Sequence, residues 1–551
     1  MADVRVVDPV SFNVIGHALV AIAEEMSLTI VKSAYSSIVR EGRDCSTALL
    51  NPAGDIVAQS HRIPIQMNSL SLSMRWLAER GRLEALEPDD ILITNDPYCH
   101  AQHLNDIFIF TPTFAEGTLI GYTGTVIHAV DIGGPAAAIN TTAVDIFGEG
   151  LRIPSVRVKP PDIDGGLLET LIRANVRAPD ALIGDVRAQL AANRLGTRRY
   201  LQLIDRYGLP LIRAVERELM DYSERLVRAH IAELPDGEYR AEDWIDFDGL
   251  TWGPYRVQVA IRVEGSDLTI DLTGTDAQLR GPANSPLAAS VSGVYSFIAA
   301  HMLPDSVFTN EGCFRPVRVI VPYGSLLNPK PPAPVLARTS AANRVYSALK
   351  LAFSQIRPRG LLAGGQDCPC QFSLSHLGED GYRVITGSAF GGWGAAYNAD
   401  GQDALSSHMS NATNLPVEYE ESEVDFYRVR SYELIPDSGG RGRFRGGLAQ
   451  RRTYEILKDG VLFAAYTDRF RSAPWGLFGG EPGRTGRFTV LRNGERISLP
   501  PLVSNFPLRE GDVLITEMAG GGGYGAPSQR DPELIRRDLE EGRVTSGAER
   551  R

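Results

Sequence analysis

The sequence predicts an α+β multidomain protein. Its 551 residues exceed what one hydrophobic core sustains. Stretches of helical period alternate with stretches of period two, and the last third is strand-like with glycine-rich punctuation. The expected order is an N-terminal α/β domain with hairpins over 1–165 and a helical segment over 166–235. A central α+β domain over 236–440 and an antiparallel, β-rich C-terminal domain over 441–551 follow.

Pro9 and Ser11 open a stretch whose apolar positions recur at helical spacing through Val14, Leu19, Ile22, Met26 and Ile30, which predicts one long amphipathic helix. From Asp44 the pattern changes to DCSTALL, NPAGD and IVAQS, two strands joined by a turn built from Asn51, Pro52 and Gly54. A helix is expected at 68–85, then a hairpin of DIFIFTPTF and LIGYTGTVIHAV joined by an AEGT turn. PPDIDGG at 160–166 reads as an interdomain connection. Two amphipathic helices between about 180 and 232 precede the strands YRAEDWIDFDG, YRVQVAIRVEG and DLTIDLTGT, with a helix around SVSGVYSFIAAHML next. A helix at 531–541 closes the chain.

Composition narrows the function classes. Hydrophobic residues make up 43% and charged residues 22%, as in packed globular domains. A net charge of −11 supplies no field for phosphate backbones or anionic lipid, so neither nucleic acid nor a membrane surface is expected as a partner. The N-terminus lacks the apolar run of a secretory signal, and no uninterrupted apolar run reaches the ~18 residues of a spanning helix. Five scattered cysteines suit a reducing compartment, so the expected location is cytoplasmic. Cys368 and Cys370, with one proline between them, match neither zinc-ribbon nor thioredoxin spacing and read as packing thiols.

The chemically informative region is 94–136, which holds three of the nine histidines. Two aspartates sit three residues after a histidine, as His103 to Asp106 and His128 to Asp131. If the hairpin turn centres on Ala115 and Glu116, His103 faces His128; a slip of one pair places Asn105 there instead, still beside His103 and Asp106. Two imidazoles and a carboxylate at strand ends can cage a divalent ion, whose ligands must each lie ~2.0–2.2 Å from it. With nitrogen and oxygen donors and no thiolate, zinc, iron(II) and manganese all fit. Asp44, at the start of its strand, is a candidate fourth ligand. Surface His and Asp pairs also arise by chance, so the spacing by itself leaves a structural reading open. His17, His230, His301, His376 and His408 lack such company and read as structural.

Other constellations carry less. No GxxxxGK[ST] phosphate loop and no GxSxG elbow is present, and GGGGYG lacks a βαβ context, so the glycines are expected to make tight turns. The polar stretches Ser340–Arg344 and Ser407–Glu418 read as loop caps, with pocket lining as the alternative.

From about residue 8 to 545 the chain resembles the hydantoinase B family. The segments that carry the likeness include SAYSSIVREGRDCSTALLNPAGDIVAQ, NDPYCHAQHLNDI, HAVDIGG, GDVRAQLAANRLG, NLPVEYEE, YELIPDSGGRGRFRGGL and GGGGYGAPSQRDPELIRRDL. By this resemblance the family's metal ligands fall on Asp44, His103, Asp106 and His128. Departures surround them: Cys45 stands where an aromatic is usual, Gln102 precedes His103, Ala129 replaces a second histidine, and Cys99-His100-Ala101 replaces a glycine-rich turn.

The resemblance implies a divided mechanism. A hydantoinase A-like partner binds ATP and phosphorylates the amide oxygen of a small cyclic amide, such as a hydantoin, oxoproline or lactam. Water activated by the metal of this chain then attacks the activated carbon. ATP therefore belongs to the partner, a heterotetramer of two A and two B chains is the expected assembly, and Asp131 is a candidate general base or ligand orienter. The alternative within the family is a subunit of an acetone- or acetophenone-type carboxylase.

Overall fold

The computed structural model describes residues 7–545 except 67, 138, 304–307, 380, 411–413 and 415. Six strands form the N-terminal sheet: β1 (Cys45–Leu50), β2 (Ile56–Gln59), β3 (Ile91–Thr94), β4 (Asp106–Ala115), β5 (Thr118–His128) and β6 (Val156–Val158). Their spatial order is β2-β1-β5-β4-β3-β6, with every neighbouring pair antiparallel. Alternation divides the side chains between two covered faces. Leu49, Ile93, Ile107, Ile109 and Ile127 meet the helices Pro9–Ser33 and Pro179–Tyr207 on one face. Ala48, Leu50, Leu92, Phe108, Phe110 and Val126 meet the helix Ser69–Glu79 on the other.

The long N-terminal helix starts where the sequence signals it. Asp8 caps it, its carboxylate accepting from the backbone N–H of Val10 and Ser11, and Pro9 follows. By length and mean hydropathy this helix meets the requirement for a membrane span; here Leu19, Ala23, Met26 and Ile30 are buried in the core.

A second sheet pairs Gly237–Phe247, Trp252–Glu264, Asp267–Asp271 and, in parallel, Val317–Ile320. The helices Leu287–Met302 and Arg338–Phe353 pack beside it. Two further antiparallel sheets face each other across a core that includes Phe372, Leu374, Tyr454, Phe463, Phe488 and Leu514. One of them unites strands from 370–389 with strands from 461–508, on both sides of residue 440.

Two local expectations are corrected. Ser340–Arg344 lies inside the helix Arg338–Phe353 rather than in a loop cap. The glycine-rich runs are not mainly turns: extended segments lie side by side, with Gly440 N–H donating to Gly521 O at 2.8 Å and Gly521 N–H to Gly447 O at 2.9 Å. A Cβ on Gly521 would collide with the Trp393 carbonyl, which is why these segments need glycine.

Candidate metal centre

The hairpin of β4 and β5 builds the site. Ala115 pairs with Thr118, so the turn is Glu116-Gly117, with φ of 48° and 75° as a two-residue primed turn requires. An irregularity after Thr113 shifts the register once more. As a result Asp106, not His103 or Asn105, faces His128 across the strands. Cys45 pairs with Ile127, and the Asp44 carbonyl accepts the His128 N–H at 3.2 Å, so Asp44, His128 and Asp106 form a lateral row. Their parity places them on the face covered by the helix Ser69–Glu79.

His103 enters from the loop before β4. That loop is fastened by Asn95, whose side-chain amide donates to Leu104 O at 2.7 Å and Leu151 O at 2.9 Å while its oxygen accepts from Ile153 N–H at 2.6 Å. His103 Nε2 then lies 3.1 Å from His128 Nδ1 and 3.2 Å from Asp106 Oδ1, and His128 Nδ1 lies 3.3 Å from the same oxygen. Two ligands bound ~2.1 Å from one ion at 90–110° are themselves ~3.0–3.4 Å apart, so this triangle has the dimensions of three metal donors. The His103 side chain is 1% exposed and that of Asp106 0%.

The protonation states suit a cation. His103 Nδ1 lies 3.2 Å from the Leu336 carbonyl, which can only accept, so the ring proton sits on Nδ1 and the Nε2 lone pair points into the triangle. Burial, and then the Arg338 guanidinium, push the His103 pKa down to about 4. For Asp106 burial acts upward, but Arg338 and His103 outweigh it and hold the carboxyl well below the usual carboxylate range. Arg338 Nη2 donates to Asp106 Oδ2 at 2.5 Å, which leaves Oδ1 for the triangle.

The other two sequence candidates stand differently. Asp44 is not among the three donors that lie within 4.8 Å of one another, but it borders a cavity of about 30 Å³ together with His128, Arg338, Thr339, Asn343 and Gln371. Gln66 Nε2 donates to Asp44 Oδ1 at 3.0 Å, and burial raises the Asp44 pKa. Asp131 is engaged elsewhere, since its Oδ2 accepts the Arg177 N–H at 2.5 Å and its Oδ1 the Arg177 guanidinium at 3.3 Å. This engagement removes the ground for reading it as the general base. Arg338 and Leu336 were missed by sequence reasoning, since a lone arginine and a backbone carbonyl leave no spacing signal. The pocket-lining alternative holds for Asn343, Ser407 and Ser410; within the second polar stretch, Asn411, Ala412, Thr413 and Leu415 lie outside the described residues.

The cysteines and two of the other histidines, His301 and His408, lie among packed neighbours. All five cysteines are free and buried, and burial pushes the Cys368 thiol up to about 12. His408 stacks on Trp393 with centroids 4.1 Å apart, and His301 Nε2 lies 3.2 Å from the Tyr346 hydroxyl.

Comparison with known proteins bears on the chain as a whole. A chain provisionally named as the B component of a D-/L-hydantoinase from Pseudomonas sp. (strain NS671) is 33% identical, over 98% of this chain and 94% of that one. The beta chain of the caprolactamase of Pseudomonas jessenii is 30% identical, again over 98% and 94%. The crystal structure of the ATP-dependent caprolactamase from Pseudomonas jessenii superposes with a TM-score of 0.90 at 28% identity, over 98% of this chain and 95% of that chain. A nucleotide-free acetone carboxylase structure shares the fold, with a TM-score of 0.88 at 19% identity over 98% of this chain and 78% of that chain. The Hydantoinase B/oxoprolinase profile spans residues 8–527, and the chain belongs to that family.

Proposed function

We propose that this chain is the metal-bearing subunit of an ATP-dependent cyclic amidase that acts with a nucleotide-binding, hydantoinase A-like partner. The observation that carries the reading is the buried triangle of His103 Nε2, Asp106 Oδ1 and His128 Nδ1, with edges of 3.1–3.3 Å. Relatives named as the B component of a hydantoinase and the beta chain of a caprolactamase support both the substrate class and the need for a partner.

His103, Asp106 and His128 would hold the ion, with Asp44 completing the set from the cavity side. Nitrogen and oxygen donors suit zinc, iron(II) or manganese. When bound, such an ion lowers the pKa of a coordinated water and polarises a carbonyl, the chemistry that amide opening needs. The chain itself supplies orientation and dryness. Leu336 O holds the His103 tautomer, Arg338 holds Asp106, and Asp131 with Arg177 fixes the loop after His128. Thr339, Asn343, Gln371 and Ser407 line the approach from the cavity. An unstrained amide is a poor electrophile, so the partner's phosphorylation of the amide oxygen is the step that consumes ATP. The assembly is two A with two B chains, in the cytoplasm where ATP is supplied.

The test is to purify the chain with its partner, measure bound metal, and follow ATP hydrolysis against a panel of hydantoins, oxoproline and lactams with and without bicarbonate. Turnover of a cyclic amide independent of bicarbonate supports the proposal. Turnover only of a ketone, and only with bicarbonate, would replace it with a carboxylase.

A further inference from the structure

The three donors of the triangle come from residues 103–128, yet the groups that aim two of them come from a turn far away in the sequence. The Leu336 carbonyl faces His103 Nδ1 across a separation of 233 positions. Arg338 donates through Nη2 to Asp106 Oδ2 and through Nε to Gln102 Oε1 at 3.2 Å, next to His103. That turn is itself clamped. Glu149, on the short helical turn Ile146–Glu149, accepts the N–H groups of both Val335 and Leu336 on Oε1 at 2.7 Å. Arg338 N–H closes the turn on Val335 O at 3.0 Å and begins the helix Arg338–Phe353.

We propose that the Val335–Arg338 turn, clamped by Glu149, is the positioning device of the metal site: it sets the tautomer of His103 and the denticity of Asp106. This rests on the metal-site reading above. If Leu336 O moved away, the His103 proton could sit on Nε2, where it would point at Asp106 and His128 and remove the lone pair a cation needs. If Arg338 left Asp106, both carboxylate oxygens would be available and the coordination number would rise, with an uncompensated carboxylate beside Asp44. Glu149 acts on neither ligand directly. It fixes the peptide that carries the Leu336 carbonyl and the start of the helix that carries Arg338.

The experiment uses the full-length chain, stripped of metal by chelation and titrated with Co²⁺ alone. Calorimetry gives the affinity and the visible absorption of bound Co²⁺ reports coordination number; far-UV spectra and unfolding midpoints establish that each variant is folded. Arg338→Met should bind Co²⁺ about 10–100-fold more weakly, with a weaker visible band. Arg338→Lys, which keeps the charge and one donor to Asp106, should recover part of that affinity. Glu149→Gln keeps an oxygen acceptor for both N–H groups and should stay within about threefold of the parent, whereas Glu149→Leu should fall with Arg338→Met. If Glu149→Leu does not fold, the ordering of Arg338→Met, Arg338→Lys and Glu149→Gln carries the test. Parent-like affinity and spectrum in a folded Arg338→Met overturn the inference while leaving the metal site standing. A parent chain that takes up no Co²⁺ overturns both.

Discussion

Arg338 and Asp106 are 232 positions apart in sequence and meet through Nη2 and Oδ2 at 2.5 Å, both buried. The contact joins the N-terminal sheet to the helix that opens at Arg338, so the cluster is assembled only when both parts have folded. It also decides the charge of the site. The buried guanidinium keeps Asp106 ionised against the upward pull of burial, and an anionic Oδ1 lies between two imidazole nitrogens.

His103→Ala and His128→Ala each remove one corner of the triangle. On the proposed function, loss of one of three tightly spaced donors should lower divalent-metal affinity by at least about 100-fold and abolish turnover, since nothing else in that proposal activates the attacking water. Metal analysis of the purified variants and steady-state assays with the partner check this. Full metal content in a folded variant would remove that residue from the site.

Much of this hairpin was legible, because DIFIFTPTF and LIGYTGTVIHAV are rich in β-branched and aromatic residues and the short AEGT segment between them marks the turn. The pairing was not. Glu116 occupies a left-handed position that sequence rules assign reluctantly to a non-glycine residue, and the irregularity after Thr113 has no sequence signature. The helix Arg338–Phe353 escaped because its apolar positions, Ala341, Val345, Ala348, Leu349 and Ala352, are interleaved with Arg338, Ser340, Asn343, Arg344, Ser347 and Lys350, which are buried as well, so no polar face sets them off. Arg344 donates to Asp243 at 3.2 Å and to Gln366 O at 2.9 Å. The candidate ligands were visible as residue types in a cluster, whereas the groups that orient them belong to the tertiary structure alone.

Glu149 makes stability depend on pH. Burial raises its pKa from 4.5 to about 8 despite two backbone donors that act downward. A carboxyl whose folded pKa lies above its unfolded value stabilises the fold fully below the unfolded pKa, and that contribution is lost as pH rises through the folded value. Between pH 4.5 and about 8, therefore, this group favours the folded chain progressively less. Urea unfolding of the metal-free chain at about pH 5 and about pH 8 should show a decline that Glu149→Gln reduces by several kcal/mol. An equal decline in the variant would assign the effect to other groups.

A second buried ion pair offers a stability test away from the proposed metal ligands. Lys350 Nζ lies 3.1 Å from Asp367 Oδ1, and neither side chain is more than 1% exposed. Lys350→Met leaves a buried carboxylate without its ammonium and should cost about 3–5 kcal/mol in urea unfolding. Adding Asp367→Asn should return part of that loss, because the carboxylate charge is then gone as well. Strictly additive losses in the double variant would show that the pair is not energetically coupled.

Asp44 supplies the sharpest test of ligand number. Its carboxylate is buried beside the cavity, burial raises its pKa and Asp106 adds to that rise, so its charge is disfavoured in the metal-free chain. Asp44→Asn keeps an oxygen that can accept from Gln66 Nε2 and removes the charge. The metal-free variant should therefore unfold at the same urea concentration as the parent or a higher one. If Asp44 is the fourth donor, the same variant should bind Co²⁺ about 10–100-fold more weakly, because an amide oxygen is a poorer ligand for a dication than a carboxylate. Stability kept or gained while affinity falls is a combination that a general loss of structure cannot imitate. Unchanged affinity with unchanged stability would reduce the protein's ligand set to His103, Asp106 and His128.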